Sequence, residues 1–209
     1  MTAKKPAESK KLRIRTGILG ALARWADDGR STNDALFHVV LSGDEAVACD
    51  GRRIVRVPAA IAYQPATLDQ AWVGDPTFYL SRELIEAAVA AQEAYSLYRD
   101  EDVDGLAEID VWLAGDRIIL SWDDTRLSEK HVAWKYPDLD AHMPKPAETP
   151  PPSIGFNPEY LAGIGAFIKT VDEQSDLGVK VAGWGGELDP MLFTSGGGIR
   201  FVVMPTRFA

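Results

Sequence analysis

The chain has 209 residues, 46% of them hydrophobic and 25% charged, which suits one large domain or two small ones with a substantial core. Its formal net charge of −9 excludes attraction to nucleic acid by bulk charge, so any DNA contact requires a local basic face. The single cysteine, Cys49, excludes an intrachain disulfide and favours a reducing, cytoplasmic location. No apolar run approaches the length that spans a bilayer.

Residues 1–11, MTAKKPAESKK, lack the apolar segment of a secretory signal. Their composition predicts a disordered basic arm. A first folded part is predicted over residues 12–143. Residues 144–152, PKPAETPPP, contain five prolines in nine positions and predict a stiff, extended linker. A second folded part is predicted over residues 153–209.

Within the first folded part, the hydrophobic spacing predicts the same pattern twice. Each copy is a short strand, an amphipathic helix and three strands. In the first copy, LRIR leads into a helix over residues 16–29 that carries Trp25 and Ala26 on its apolar face, and the strands are ALFHVVLSGD, EAVACDG and RRIVRVP. In the second copy, TFYLS precedes a helix capped by Ser81, and the strands are LAEIDVWLAGDRIILSW, as a hairpin, and RLSEKHVAWKYP.

In the second folded part, the spacing predicts a third copy of this strand–helix–three-strand pattern. SIGFN is the leading strand, Asn157 caps the helix and Pro158 takes its first position. The strands LGVKVAGWG, DPMLFTS and IRFVVMP follow, with glycines 196–198 in a hairpin turn. The predicted fold class is therefore α+β. Four tryptophans are predicted to lie on strands, namely Trp112, Trp122, Trp134 and Trp184.

Four stretches resemble, in the same order, motifs of the bacterial DNA polymerase III beta subunit, the sliding clamp family. They are VACDGRRIVRVP, KYPDLDAHMPK, IGFNPEYL and FVVMPTRF. The resemblance implies the DNA clamp fold of repeated strand–helix–three-strand units, shortened to three units where the family has six. The first two units match the family's middle domain, and the third matches the second half of its last domain.

The resemblance also implies a site and partners. In the family, the terminal strand lines a pocket that takes short apolar peptides of polymerases, the clamp loader and repair proteins. The matching positions are Gly51, Arg52, Arg53, Ile54, Pro137, Asn157, Tyr160, Leu188, Pro190, Val202, Val203, Met204, Pro205, Thr206 and Arg207. Thr206 stands where the family usually has an apolar residue.

A ring function requires a basic helical surface facing DNA. The three predicted helices and their ends carry four positive and six negative side chains, and the candidate DNA contacts are Arg24, Arg82 and Lys169. By arithmetic alone, a homo-oligomeric ring of twelve units would require four chains with three units each. The parts that close the family's own ring are absent from the pattern.

Three functions remain open from the sequence. The first is a clamp-like replication or repair accessory protein of the processivity type, with double-stranded DNA as a possible second partner. The second is a clamp mimic that competes for the same peptides without encircling DNA. The third, an enzyme on this scaffold, lacks support, because no nucleophile–base pair, metal-ligand spacing or cofactor motif is evident. A membrane partner is not expected.

Overall fold

The computed structural model describes residues 11–64, 77–99, 107–144, 154–171, 178–185 and 189–206. The structural statements below concern these residues. The predicted basic arm lies outside them except for Lys11, and so does the predicted proline-rich linker except for Pro144.

Three units follow one another along the chain, the first two of the expected kind and the third without its leading strand among the described residues. Unit 1 comprises β1 (Lys11–Arg15), α1 (Thr16–Ala23), β2 (His38–Leu41), β3 (Glu45–Cys49) and β4 (Arg53–Pro58), followed by a short helix α2 (Ala59–Ala62) and β5 (Tyr63–Gln64). Unit 2 comprises β6 (Phe78–Ser81), α3 (Arg82–Arg99), β7 (Glu108–Ala114), β8 (Arg117–Trp122) and β9 (Thr125–Lys130). Unit 3 comprises α4 (Pro158–Val171), β10 (Lys180–Gly183), β11 (Met191–Thr194) and β12 (Arg200–Val203).

The strands form two antiparallel sheets, one of five strands in the order β5-β1-β7-β8-β9 and one of seven in the order β10-β11-β12-β4-β3-β2-β6. Units 1 and 2 exchange their leading strands, since β1 pairs with β7 and β6 pairs with β2. Unit 3 joins unit 1 through β12 and β4, where Ile54 is paired with Val202 and Val55 with Phe201. The confirmed fold class is thus α+β with repeated units.

The main core is one cluster of buried residues drawn from α1, α3 and α4 and from both sheets. Seven of the eight residues of α1 are buried, and α1 packs against both α3 and α4. Its glycines allow this approach, because a Cβ on Gly17 would lie 3.1 Å from Thr170 and one on Gly20 would lie 3.3 Å from Val89. Trp25, Phe167 and Phe201 form a buried aromatic group in which each ring contacts the other two.

The helix starts predicted from Ser81 and Asn157 are confirmed. The Ser81 hydroxyl accepts the Leu84 amide at 3.1 Å, and the Asn157 side chain accepts the Glu159 amide at 3.0 Å. The predicted end of the first helix at Gly29 is wrong, since α1 ends at Ala23. A tight turn follows, in which Trp25 bonds the Leu22 carbonyl, and the chain then enters a 3-10 turn over Asp34–Phe37 before β2.

Two strand predictions are also wrong. Residues 154–157 form no strand, because each leading strand pairs with the neighbouring unit of a two-unit set and unit 3 has no such neighbour in the described ranges. The strand predicted up to Pro137 ends at Lys130, so that Trp134 lies outside it, and Trp184 likewise follows the end of β10. Trp112 and Trp122 do lie on strands.

Asp110 gives the five-stranded sheet a measurable acid dependence. Burial opposes its ionisation, but hydrogen bonds from Arg13, at 2.9 Å, and from Lys11 outweigh burial and lower the pKa of Asp110. The stabilisation is therefore present above the ordinary aspartate pKa of about 3.9 and is lost as the pH falls through the lower folded-state value. We expect Asp110→Asn to lower the melting temperature by about 1–3 °C at pH 7, and by less at pH 3. An equal loss at both pH values would contradict this.

Candidate functional site

The hairpin between β3 and β4 places two arginines at the junction of units 1 and 3. Gly51 has a φ of 83°, a conformation that glycine adopts without strain. The Asp50 carboxylate accepts the amides of Arg52 and Arg53, both at 2.9 Å, which fixes the turn. The two side chains then take different paths, Arg52 to the surface and Arg53 into the junction.

The end of β12 passes between this hairpin and the start of unit 3. The Met204 amide donates to the Arg52 carbonyl at 2.8 Å, and the Thr206 amide donates to the Gly155 carbonyl at 2.7 Å. Met204 is 38% exposed, although it follows three buried residues. The terminal segment is thus tethered on both sides and presents an apolar side chain to solvent.

Arg53 holds the junction together from within. Its Nε lies 2.7 Å from Asp50, its Nη2 donates to the Arg24 carbonyl at 2.9 Å, and its guanidinium lies over the rings of Trp25 and Tyr160 at 4.7 and 5.3 Å. These contacts link the turn after α1, β4 and α4. Arg53 therefore has a structural role at the junction, in addition to its place among the positions matched to the peptide site.

A polar cavity of about 560 Å³ opens beside the hairpin. Its lining includes Gly51, Arg52, Arg53, Asn157 and Tyr160, five residues that the sequence assigned to the peptide site. The Arg52 guanidinium lies at the Tyr160 hydroxyl, and this hydrogen bond raises the pKa of Arg52. The remaining lining residues include four acids (Asp27, Asp28, Asp50 and Glu159) and two further arginines (Arg30 and Arg82), so formal charges balance there.

The apolar residues of the predicted site divide between the two faces of the seven-stranded sheet. Ile54 and Val202 lie on the outer face, away from α1, in a cluster with Leu36, Val40, Val47 and Cys49. Val203 lies on the inner face in the main core, because side chains alternate along a strand. Pro137, Pro190 and Pro205 are half-buried and Thr206 is exposed. Leu188 and Arg207 lie outside the described residues.

No family model and no curated protein matches the sequence. Solved structures do match over the whole chain. They include the DNA polymerase III subunit beta sliding clamp of Pseudomonas aeruginosa bound to griselimycin (14% identity, TM-score 0.63) and the DNA polymerase sliding clamp of Caulobacter crescentus (15%, 0.63), each over 100% of this chain and 68% of that chain. The DNA polymerase III beta subunit of Thermotoga maritima matches at 14% identity and TM-score 0.61, over 100% and 69%.

This chain has the DNA clamp fold. It spans about two thirds of the length of those sliding clamps, which agrees with the shortened clamp expected from the four sequence motifs. At identities of 14–15%, the likeness to these three clamps establishes the fold and does not by itself assign a function.

The helical layer of this clamp fold is not basic. α1, α3 and α4 contain three positive side chains (Arg82, Arg99 and Lys169) and four negative ones (Glu83, Glu86, Glu93 and Glu159). Of the predicted DNA contacts, Arg24 and Lys169 are exposed, whereas Arg82 is half-buried and donates to Glu86 and to the Ala26 carbonyl. Arg82 also lines the polar cavity.

The chemistry available elsewhere in the described ranges is limited. Burial raises the pKa of Cys49 to about 11, so its thiol is protonated at neutral pH. Within the residues that the structure describes, no group of three or more His, Cys, Asp or Glu side chains could hold a metal ion. Among the described helices, none has the length and apolar character required to cross a membrane.

Sequence reasoning missed two features of this region. Trp25 was predicted as core, but not as the ring on which Arg53 stacks. The other is the pairing of Trp134 with His38, whose ring centroids lie 5.1 Å apart. Neither pair has a local signal, since each joins residues that are far apart in the chain.

Proposed function

We propose that this chain is a clamp-like accessory protein of DNA replication or repair, acting in the cytosol without catalysis or a cofactor. It would bind short apolar peptides of polymerase, clamp-loader or repair partners. The observation that carries the proposal is the convergence of three distant segments at one place: the hairpin at Gly51 and Arg52, the start of α4 at Asn157 and Tyr160, and the tethered end of β12. This convergence agrees with the order of the sequence motifs.

The exposed and half-buried groups at the junction suit an extended apolar peptide. Met204 offers a flexible apolar contact, and the Arg52 guanidinium can donate to peptide carbonyls or to an acidic side chain. The half-buried Pro205, next to Met204, supplies a rigid neighbour, and Tyr160 combines a ring with a hydroxyl. Together they provide the mixture of apolar and polar contacts typical of peptide sites.

The peptide site is tested with a labelled peptide of the QLxLF type in fluorescence anisotropy. We expect Met204→Ala and Arg52→Ala each to weaken binding about 5- to 10-fold, as expected when a central contact of a small interface is truncated. Matched controls are Val179→Ala, which also removes an exposed apolar side chain, and Arg126→Ala, which removes an exposed arginine on β9. Equal affinity in all four variants would place the site elsewhere, and the absence of binding to wild type would refute the proposal.

A second candidate, a clamp mimic that does not encircle DNA, is favoured by the charge of the helical layer. Three positive against four negative side chains offer DNA no net attraction. The position of β9 favours the ring instead. This strand ends unit 2, just as β4 and β12 end units 1 and 3, and it lies at a sheet edge where another chain could pair.

The two candidates are distinguished by solution mass and by retention on DNA. A trimer or tetramer in light scattering, held on nicked circular DNA and released when the DNA is cut, would support the ring. A monomer or dimer that binds peptide but is not retained on either DNA would support the mimic.

A further inference from the structure

Residues 131–144, here called the strap, cross the outer face of the seven-stranded sheet after β9. Tyr136, Leu139 and Met143 of the strap pack against the outer cluster that contains Ile54 and Val202. Ile54 and Val202 are only 5% and 3% exposed in this cluster, against which Tyr79 and Leu192 also pack. Two apolar residues assigned to the peptide site are therefore already covered by the protein's own chain.

Side chains hold the strap at two points. The Trp134 indole Nε1 donates to His38 Nε2 at 3.0 Å, while His38 Nδ1 lies 3.0 Å from the Asp34 carbonyl, so Nδ1 carries the proton and Nε2 accepts. Towards the other end, Asp140 forms an ion pair with Arg56, which also binds Glu45. The two residues that anchor the strap, His38 on β2 and Arg56 on β4, both lie on strands of the seven-stranded sheet.

The backbone of the strap is not part of the sheet. Its residues past His131 make backbone hydrogen bonds only to one another among the described residues, as in the 3-10 turn Asp140–His142. A segment held by a few side-chain contacts and without ladder hydrogen bonds opens at lower free-energy cost than a strand. Val132 is also 41% exposed, so the start of the strap adds little burial.

From these contacts we propose that the strap is an internal competitor for the partner's peptide. In the free protein it covers the outer apolar cluster, and a partner's apolar side chains replace Leu139 and Tyr136 there. The inference rests on the proposed function and reverses the role that the sequence assigned to Pro137, which becomes part of a displaceable cover. The apparent peptide affinity is then reduced by the fraction of molecules in which the strap is closed.

The two roles of the strap predict opposite effects of the same substitution. Leu139→Ser weakens strap packing, so a competitor role requires tighter binding of the QLxLF-type peptide, by about 3- to 10-fold. If the strap is instead a wall of the site, Leu139→Ser weakens binding. Trp134→Phe keeps an aromatic ring at this position but removes the hydrogen bond to His38. It should change the peptide affinity in the same direction as Leu139→Ser. Trp112→Phe, on β7 of the other sheet, is the matched control.

Hydrogen–deuterium exchange of the full chain reports on the strap independently of the peptide. Faster exchange over residues 132–144 in Trp134→Phe, together with tighter peptide binding, supports the proposal. Unchanged exchange, or binding that is equal or weaker in both strap variants, overturns it while the peptide site stands. Absence of peptide binding in wild type and in every variant overturns the proposed function as well.

Discussion

Phe201→Ala is expected to lower the free energy of unfolding by about 3–5 kcal/mol, the range for deleting a fully buried phenylalanine. Phe201 lies on β12, is 0% exposed and is paired with Val55 of unit 1. Its ring centroid lies 5.4 Å from that of Trp25 and 5.6 Å from that of Phe167. The cavity left by alanine would therefore lie where units 1 and 3 meet.

Urea unfolding followed by circular dichroism measures this loss. Phe37→Ala is the control, since Phe37 is half-buried in the 3-10 turn before β2 and should cost less. A loss of less than about 1 kcal/mol for Phe201→Ala would contradict the packing of unit 3 onto unit 1.

Arg53→Met is expected to cost about 2–3 kcal/mol and to weaken peptide binding as well. Methionine keeps much of the volume but removes the ion pair with Asp50, the hydrogen bond to the Arg24 carbonyl and the contacts with Trp25 and Tyr160. The Arg53 side chain is 18% exposed, so water replaces these contacts only in part.

Arg53→Lys should rescue little, because an ammonium cannot reproduce the planar guanidinium between two rings and two acceptors. Arg126→Met, at an exposed position on β9, should change neither stability nor affinity measurably. Full stability of Arg53→Met would show that the junction does not depend on this residue.

The repeated units could be predicted from the sequence because their signals are local. Helical spacing, the caps at Ser81 and Asn157 and the turn glycines each act over a few residues. The confirmed expectation of the DNA clamp fold came from the order of four motifs, which adds long-range information that periodicity lacks. The pairing of β4 with β12 joins residues about 150 apart, and no local pattern specifies it.

The wrong predictions share a physical cause. Trp25 and Ala26 follow the helical apolar spacing, yet they are buried from a turn after α1 has ended. Residues 154–157 have a strand-like pattern but no neighbouring leading strand to exchange with. Trp134 continues the β9 pattern, but its indole bonds His38 instead. In each case tertiary partners decided what the local pattern left open.

The structure also separates residues that the sequence grouped. Val202 and Val203 were assigned to one wall, although adjacent residues of a strand face opposite sides. Arg52 and Arg53 were assigned alike, but the first is exposed and the second is enclosed by two aromatic rings. The peptide site remains a prediction, and its most informative positions are the exposed Arg52 and Met204 and the half-buried Tyr160.

Hydrogen–deuterium exchange with and without a saturating QLxLF-type peptide locates the peptide contact on this chain without any substitution. With peptide bound, we expect slower exchange in residues 50–54, 154–160 and 202–206, the three segments that meet at the junction of units 1 and 3. Protection that is absent from all three segments, or confined to α3 and β9, would contradict a peptide site at this junction.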